Sequence, residues 1–265
     1  MSKKMFPESK LAHRYLDGLV GIEIGASPHN PFGLNTQNVD IADEANRSAY
    51  KKLSLHVSGE AAPIDIAALG DALPIPDSSV DFVVSSHVLE HFPDPIKVLA
   101  EWYRVVKPEG YVYMIVSHRE RIVTDRDRQP TTLAELLGRH DGNLTAAPDP
   151  ETGHCNFWVT EDMIELVRSI GLDWVLVDFQ DTDDKVGNGF AVVLRKGALT
   201  DEEKQRLEEK LMRLMERRTA PPTFFLPDSP IGRILTLARE RYQELAKNGL
   251  LQGMWQRIQE FTHKK

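Results

Sequence analysis

Short apolar runs separated by turns and one helical stretch fill residues 20–117 of this chain. Five of these runs have the length and composition of strands, in chain order VGIEIG, NVDIA, AAPIDI, VDFVVSS and YVYMIVS. VDFVVSS hardly alternates between apolar and polar residues, which is typical of a strand buried on both faces of a parallel sheet. DPIKVLAEWYRVV has apolar residues at helical spacing, and KPEG is expected to end that helix. The alternation predicts an α/β domain with a parallel sheet.

A different pattern follows the fifth run. Residues 118–156 are rich in Asp, Arg and Pro and read as irregular. TEDMIELVRSIG predicts a helix that has Thr160 as its cap and ends at Gly171. The strand patterns DWVLVDFQ and GFAVVLRK come next, joined by the acidic turn DTDDKVGN. Because they are close in sequence, they predict a terminal antiparallel hairpin at the edge of a mostly parallel seven-stranded sheet.

The C-terminal part of the chain has a different composition. From Lys196 onward there are 14 Lys and Arg against 10 Asp and Glu, a net charge of +4, whereas residues 1–195 carry 18 against 30, a net of −12. Three stretches of this part show apolar stripes at helical spacing. An amphipathic helix must bury its stripe, either on the parent domain or in a dimer interface or lid. The pattern predicts a domain over residues 1–197 and a helical C-terminal extension over residues 198–265, with a homodimer through these helices as one outcome.

Charge and composition exclude several classes of protein. The net charge of −8 argues against a broad surface that binds phosphates, and so against nucleic acid as a partner. Cys155 is the single cysteine, which excludes an internal disulfide and a cysteine-rich zinc module. The N-terminus lacks the apolar run of a signal peptide, and runs such as YVYMIV are too short to cross a bilayer. We therefore expect a soluble, cytoplasmic protein that does not bind membranes.

The turn after the first strand lacks the features that dinucleotides require. A dinucleotide site needs G-x-G-x-x-G and a helix whose N-terminus faces the pyrophosphate. Here Gly25 is followed by Ser27 and Asn30 at the other glycine positions, and the chain up to Asp40 is rich in Pro and Asn, as a loop would be. A nucleoside ligand without phosphates does not need that helix. S-Adenosylmethionine is such a ligand, and Asp40 could accept both ribose hydroxyls.

The motifs resemble those of a known family. IEIGAS, NVDIAD and the run LPIPDSSVDFVVSSHVLEHFPDP, followed by LAEWYRVVKPEGYVYMIVS, resemble the motifs of class I S-adenosylmethionine-dependent methyltransferases of the type 11 group. The resemblance covers residues 20–117 well, is looser up to residue 197 and is absent afterwards. It implies a Rossmann-like methyltransferase fold, S-adenosylmethionine as the cofactor, and methyl transfer as the activity. Ser27, where the family usually has glycine, and the loop in place of the first helix are departures that concern the methionine pocket.

The resemblance also implies which residues bind the cofactor. Glu23 would order the first turn, Asp40 would bind the ribose, and an acid after the third strand would meet the adenine amine. Asp65 fits that last position, with Asp71 as the alternative. The full set that the resemblance assigns to the cofactor is Glu23, Gly25, Ala26, Ser27, Asp40, Ile41, Asp65, Ile66, Ser86 and His87. A turn cap for Glu23 and a place in a polar turn for Asp65 or Asp71 remain as structural alternatives.

The irregular segments after the fifth strand should cover the acceptor. His118 follows that strand at once and is the candidate general base, with His154 as the second candidate. Further candidates in the same segments are Asp125, Arg126 and Trp158. Four arginines, Arg119, Arg121, Arg126 and Arg128, suggest an anionic acceptor, and salt bridges to Asp125, Asp127 and Glu120 are the alternative. A small molecule or a glycan is the expected acceptor class.

Two readings from other classes compete with methyl transfer. His87-Val88-Leu89-Glu90-His91 is also H-x-x-E-H, in which two histidines on a helix hold zinc and the glutamate acts as a base. The motif directly follows a strand and runs into FPDP, which leaves too little helix, so no metal is expected. The other competitor is a non-catalytic relative that binds the cofactor or a partner, and turnover would exclude it.

Overall fold

A computed structural model describes residues 6–26, 32–41 and 63–219 of the chain. Within these residues a single sheet has the strand order β3-β2-β1-β4-β5-β7-β6. Strand β7 is antiparallel to both of its neighbours, and the other pairs are parallel. The sheet confirms the predicted mostly parallel architecture with a terminal hairpin. Its strands are β1 Gly21–Ile24, β2 Thr36–Asp40, β3 Ile66–Ala67, β4 Val80–Ser86, β5 Val106–Ser117, β6 Trp174–Gln180 and β7 Gly189–Lys196.

Three strand predictions differ from the structure, whereas the helix Pro95–Val105 ends before KPEG, as predicted. The second strand begins at Thr36 and ends at Asp40, and the third is only Ile66–Ala67, shorter than AAPIDI. The KPEG segment lies inside β5, because the helix before it ends at Val105 and the pairing of β4 with β5 shifts register there. Glu109 adopts a φ of +62° in this segment, as a residue in a bulge can.

Most of the described helices are short, and local side chains cap several of them. They are α1 Lys10–Leu16, α2 Pro95–Val105, α3 Leu133–His140, α4 Thr160–Ser169 and α5 Asp201–Thr219, with a 3-10 turn at Leu89–His91. Asp94 caps α2 by accepting a hydrogen bond from the Lys97 amide. Within the described residues, no helix is both long and apolar enough to span a membrane.

Helix α3 contradicts the prediction that residues 118–156 are irregular. Its start is a capping box in which the Thr132 hydroxyl accepts from the Glu135 amide and the Glu135 carboxylate accepts from the Thr132 amide. The cap predicted for α4 was also wrong by one residue. Thr160 is the first helical residue, and Asp162 accepts a hydrogen bond from the amide of Val159, the residue at the cap.

The core on one face of the sheet lies beneath α1. Leu11 and Leu16 of this helix belong to a buried apolar cluster with Phe32, Phe82 and Tyr113. The Ser9 hydroxyl caps α1 by accepting from the Ala12 amide, and it also lies 2.8 Å from the hydroxyl of Tyr113. These contacts fix the N-terminal segment on the middle strands of the sheet.

The chain divides into the compact units Met1–Lys204 and Gln205–Lys265. Helix α5 crosses this boundary, and its part in the second unit is described only to Thr219. The domain boundary at residue 197 stays a prediction. The two later helical stripes of the tail, and with them the suggested dimer, lie outside the described residues.

Candidate active site

The turn after β1 is built tightly against β2. Gly25 has a φ of +67°, and a Cβ atom at this position would lie 2.8 Å from Cγ2 of Val88. The Gly25 amide donates to the carbonyl of Val39 at 2.9 Å, and the Ala26 amide donates to Oδ1 of Asn38 at 3.2 Å. Only glycine combines this backbone conformation with such a close approach. Ser27, the next residue of the predicted site, lies outside the described residues.

Glu23 connects β1 to the chain that enters β2. Its side chain is buried, and Oε2 accepts from the Phe32 amide at 3.3 Å and from the Thr36 hydroxyl at 3.5 Å. Burial raises the pKa of Glu23 to about 7, although the Phe32 amide, the Lys185 ammonium and the Thr36 hydroxyl act in the opposite direction. Lys185 is buried as well, and its Nζ lies 4.6 Å from the centre of the Phe32 ring. These contacts tie β1 to the chain that enters β2.

Asp40 ends β2 at the carboxyl edge of the sheet. Its Oδ1 accepts from the Ile41 amide at 2.6 Å, and its backbone carbonyl accepts from the Ala68 amide at 3.0 Å. Ile41 is 40% exposed and Leu69, just after β3, is 50% exposed. Leu69 was missed in the sequence, where a lone leucine in a turn carries no functional signal. Apolar side chains beside a carboxylate suit a ligand with an aromatic base and a ribose.

The acids around β3 are engaged with the protein. Asp65 precedes β3 instead of following it, and its Oδ2 accepts from the Asn38 amide at 2.8 Å. Ile66, the next predicted residue, is the first residue of β3 and pairs with Val39. Asp71 follows β3, and its Oδ2 lies 2.8 Å from Nζ of Lys97. By position Asp71 is therefore the acid after the third strand, and Asp65 joins β3 to β2.

A buried polar network lies where β4 and β5 end. His87 has a φ of +56°, and its Nδ1 lies 2.9 Å from the Ser117 hydroxyl and 3.3 Å from Oε1 of Glu90. The Glu90 carboxylate also accepts from the amide and the hydroxyl of Ser117. Burial alone would raise the pKa of Glu90, but the hydrogen bonds and charges of His87, His91 and Ser117 lower it to about 2. Glu90 is therefore a buried, ionised carboxylate that orients His87.

The two serines that end β4 are placed for a ligand. The Ser85 and Ser86 side chains are buried, and neither hydroxyl has a hydrogen-bond partner within the part of the chain that the structure describes. Buried hydroxyls are normally satisfied, so such groups at the carboxyl edge of a parallel sheet fit a polar ligand there.

The zinc-hydrolase reading of HVLEH does not match this geometry. Leu89–His91 is a single 3-10 turn, Glu90 is directed into the protein, and His91 Nδ1 lies 3.1 Å from the carbonyl of Gly153. Among the described residues, no group of three or more His, Cys, Asp or Glu side chains is arranged to hold a metal ion.

Residues 153–156 lie along the turn that follows β4. The amides of Cys155 and Asn156 donate to the carbonyl of Glu90 at 2.8 and 3.1 Å, and the Asn156 side chain donates to the carbonyl of Phe92 at 2.7 Å. His154, within this segment, has Nδ1 2.8 Å from Oδ2 of Asp125. Residues 153–156 therefore pack on the turn that follows β4.

His118 is placed differently from the prediction. Its ring is 1% exposed, Nδ1 accepts from the Glu120 amide at 3.3 Å, and Nε2 lies 3.9 Å from Oδ1 of Asp181. An imidazole that accepts at Nδ1 carries its proton at Nε2 when neutral, so this ring has no lone pair directed at a substrate. Trp158, another candidate, is buried beside His118 through a backbone bridge. The geometry therefore favours His154 over His118 as a base.

The four arginines are held mostly by the protein. Arg119 donates to the carbonyls of Arg126 and Arg128 at 2.9 Å. Arg121 pairs with Asp181 at 2.8 Å, and Arg128 pairs with Asp149. The arginines do form salt bridges, as the alternative predicted, but most of their partners differ from those predicted. Apart from a 4.0 Å contact between Arg119 and Glu120, the acids lie outside residues 118–128. Arg126 is exposed, with a 3.4 Å contact to the Glu120 carbonyl.

Part of this chain is similar to known proteins. Residues 20–114 match the family model described as a methyltransferase domain of type 11. The ubiquinone biosynthesis O-methyltransferase of Thiobacillus denitrificans is 30% identical over 87 residues, which are 33% of this chain and 37% of that protein. A probable S-adenosylmethionine-dependent methyltransferase of Mycolicibacterium smegmatis is 31% identical over 100 residues, 38% of this chain and 37% of that protein. The chain thus matches little more than a third of either relative.

Solved structures of low sequence identity align with a larger part of the chain. An S-adenosylmethionine-dependent methyltransferase from Methanosarcina mazei is 18% identical, with a TM-score of 0.44, and covers 73% of this chain and 100% of that one. Another from Aquifex aeolicus is also 18% identical, with a TM-score of 0.43, and covers 70% of this chain and 86% of that one.

Proposed function

We propose that this chain is a class I S-adenosylmethionine-dependent methyltransferase of the type 11 group, as the match of residues 20–114 to the methyltransferase-domain model supports. Its acceptor would be a small molecule or a glycan. One observation carries the proposal. The family resemblance assigns three residues at strand ends to one cofactor: Asp40 at the end of β2, Gly25 directly after β1 and Ser86 at the end of β4. These strands are neighbours in the sheet, in the order β2-β1-β4. In parallel α/β sheets, ligands bind outside the carboxyl ends of such strands.

The chain offers matching groups to each part of the cofactor. The Asp40 carboxylate would accept hydrogen bonds from the ribose hydroxyls, and the turn at Gly25 would hold the methionine portion. Ile41 and Leu69 are exposed apolar side chains that would contact the faces of the adenine. Asp71 would meet the adenine amine, because it is the acid that follows β3. The unpartnered hydroxyls of Ser85 and Ser86 support a polar ligand at the end of β4.

Positioning is the main contribution expected of these residues. When bound, S-adenosylmethionine supplies an electrophilic methyl group on a sulfonium. His87 would lie beside that position, and the Glu90 carboxylate and the Ser117 hydroxyl hold its ring in one orientation. Residues 153–156 would exclude water from above. Holding an acceptor in line with the reacting carbon can supply about 7–11 kcal/mol of the barrier reduction.

The acceptor class rests on charge. The net charge of −8 makes a nucleic acid a poor acceptor, and a small molecule or a glycan is the acceptor class that we propose instead. An anionic acceptor is a narrower proposal that now depends on Arg126, because the other three arginines of that loop are bound to backbone carbonyls or carboxylates. The relative from Thiobacillus denitrificans is named as an O-methyltransferase of ubiquinone biosynthesis, which is compatible with a small-molecule acceptor.

A labelling experiment tests the proposal. The purified chain, incubated with methyl-labelled S-adenosylmethionine, should label a member of a panel of phenols, carboxylic acids, amines and glycans. Gly25→Ala should weaken binding of S-adenosylhomocysteine by about tenfold or more, because its Cβ would press on Val88.

Gly171→Ala is the matched control for this variant. Its φ of +68° brings the same backbone strain, but nothing lies within 4 Å of the added Cβ, so the affinity should be unchanged. Labelled product in no member of the panel, together with S-adenosylhomocysteine binding, would favour the non-catalytic relative. Absence of both would contradict the proposed function.

A further inference from the structure

His154 and Asp125 form a buried pair above the end of β4. Nδ1 of His154 lies 2.8 Å from Oδ2 of Asp125, although the two residues are 29 positions apart. His154 is 8% exposed and Asp125 is 1% exposed. Within the described residues, Nε2 of His154 has no hydrogen-bond partner. The imidazole of His154 is nine-tenths buried and hydrogen-bonded at Nδ1, and its Nε2 is available to a bound ligand.

The carboxylate determines which nitrogen of His154 carries the proton. An ionised carboxylate has no proton to donate and can only accept a hydrogen bond. When Asp125 is ionised, the neutral ring of His154 therefore holds its proton at Nδ1 and leaves the lone pair at Nε2. A carboxylate that fixes the tautomer of a catalytic histidine is the role of the aspartate in the Ser-His-Asp triad. His154 is therefore preset to accept a proton at Nε2.

The location of the pair also suits a base. The His154 ring lies 4.8 Å from the ring of His91, centre to centre, in an edge-to-face arrangement. The neighbouring Gly153 carbonyl binds His91 Nδ1, and the Cys155 amide binds the Glu90 carbonyl. His154 is thus attached to the turn that directly follows β4, at the edge of the sheet where the cofactor is proposed to bind.

Two other histidines lie at this edge, and each is placed differently from His154. Nδ1 of His87 contacts Ser117 and Glu90, and the assignment by resemblance places this residue beside the cofactor. His118 accepts at Nδ1 and directs Nε2 towards Asp181. His154 differs from both in its position: it pairs with the carboxylate of another loop and belongs to the segment that packs on the turn after β4.

We propose that His154 is the general base of the reaction, that Asp125 is its positioning residue, and that the acceptor is a hydroxyl compound. The inference rests on the proposed function. A neutral hydroxyl is a weak nucleophile, and its methylated oxonium form is strongly acidic, so a base that removes the proton during transfer helps hydroxyl acceptors most. The hydroxyl oxygen forms a bond to the methyl carbon and the carbon–sulfur bond breaks, with its electron pair staying on sulfur. The hydroxyl proton passes to Nε2 of His154.

Nuclear magnetic resonance of the full chain, labelled with ¹⁵N at histidine and saturated with S-adenosylhomocysteine, tests the pair without any acceptor. Neutral His154 should be protonated at Nδ1 and not at Nε2. In Asp125→Asn this preference should be lost, because the amide can donate to Nδ1. A wild-type His154 with its proton at Nε2 would overturn the proposal.

Single-turnover transfer of labelled methyl to a panel of phenols, alcohols, amines and thiols tests the chemistry. His154→Gln should lower the rate by about 10²–10⁴-fold while binding of S-adenosylhomocysteine is kept. His140→Gln is the matched control, since His140 pairs with Asp94 at 3.0 Å but is an exposed residue at the end of α3, and its rate should match the wild type. Unchanged transfer by His154→Gln, or labelling confined to acceptors that lack a hydroxyl, would overturn the proposal while methyl transfer stands. If the wild-type chain does not bind S-adenosylhomocysteine, the proposed function itself fails.

Discussion

Glu23 should make the stability of this protein fall as the pH rises through neutrality. Its carboxyl group is buried, and its pKa rises from the ordinary value of 4.5 to about 7. Between these values the unfolded chain has lost a proton that the folded chain retains, so raising the pH favours unfolding. The difference between the two pKa values of Glu23 corresponds to about 3 kcal/mol in the free energy of unfolding. Lys185, the buried cation that faces Glu23, acts against the rise and is included in that value.

Glu23→Gln isolates this effect. The amide keeps the shape of the side chain and can accept from the Phe32 amide, but it does not ionise. Urea unfolding at about pH 5 and about pH 8 should show the wild type losing about 2.5 kcal/mol more than Glu23→Gln between the two conditions.

Glu135→Gln serves as the control for the pH range. Hydrogen bonds from the amide and the hydroxyl of Thr132 lower the pKa of Glu135, so its contribution is lost only as the pH falls below the usual range of a glutamate. The effect of Glu135→Gln on the free energy of unfolding should be the same at about pH 5 and at about pH 8. Parallel pH dependence in the wild type and in Glu23→Gln would refute the reasoning about Glu23.

Three further predictions concern Glu90, the tail and metal. Glu90→Gln should destabilise the protein by about 3–5 kcal/mol in urea unfolding near pH 7, because it breaks a buried charged network with His87. In the wild type, the stability that ionised Glu90 contributes should disappear as the pH falls from 4.5 towards about 2. A similar stability for Glu90→Gln and wild type would contradict this. A chain truncated after Lys204 keeps the pairing of Arg195 with Glu203, so calorimetry should find its affinity for S-adenosylhomocysteine retained; loss of binding by the folded truncated chain would show that the tail contributes to the site. Elemental analysis should find no stoichiometric zinc in the purified protein, and one tightly held zinc that is lost in His87→Ala would revive the hydrolase reading.

Much of the fold could be predicted from local patterns in the sequence. Strand β4 covers Val80–Ser86, as predicted, because a run that ends in five consecutive buried apolar or small residues has few alternatives between two turns. The hairpin of β6 and β7 was also predictable, since strands that are close in sequence tend to pair. The positions of Gly25, Asp40 and Ser86 at strand ends follow from the same patterns and from the resemblance.

Other features could not be found by these patterns. The pairing of His154 with Asp125 joins two loops without periodicity, and no spacing rule links residues that far apart. The burial of His118 follows from contacts with Asp181 and Phe190, which belong to the hairpin. Helix α3 did leave a local signal, the T-x-x-E capping box that begins at Thr132.

Cofactor binding is the central claim, and calorimetry tests it most directly. The wild-type chain should bind S-adenosylmethionine or S-adenosylhomocysteine, and Asp40→Ala should weaken binding by about 1.5–3 kcal/mol, the value of hydrogen bonds to a charged group. Asp81→Ala is the matched control, because this carboxylate binds the Val20 amide and Lys107 at the opposite edge of the sheet; its affinity should be unchanged. Equal affinities in Asp40→Ala and wild type would contradict the ribose role of Asp40. A well-folded wild-type chain that binds neither ligand would contradict the whole account.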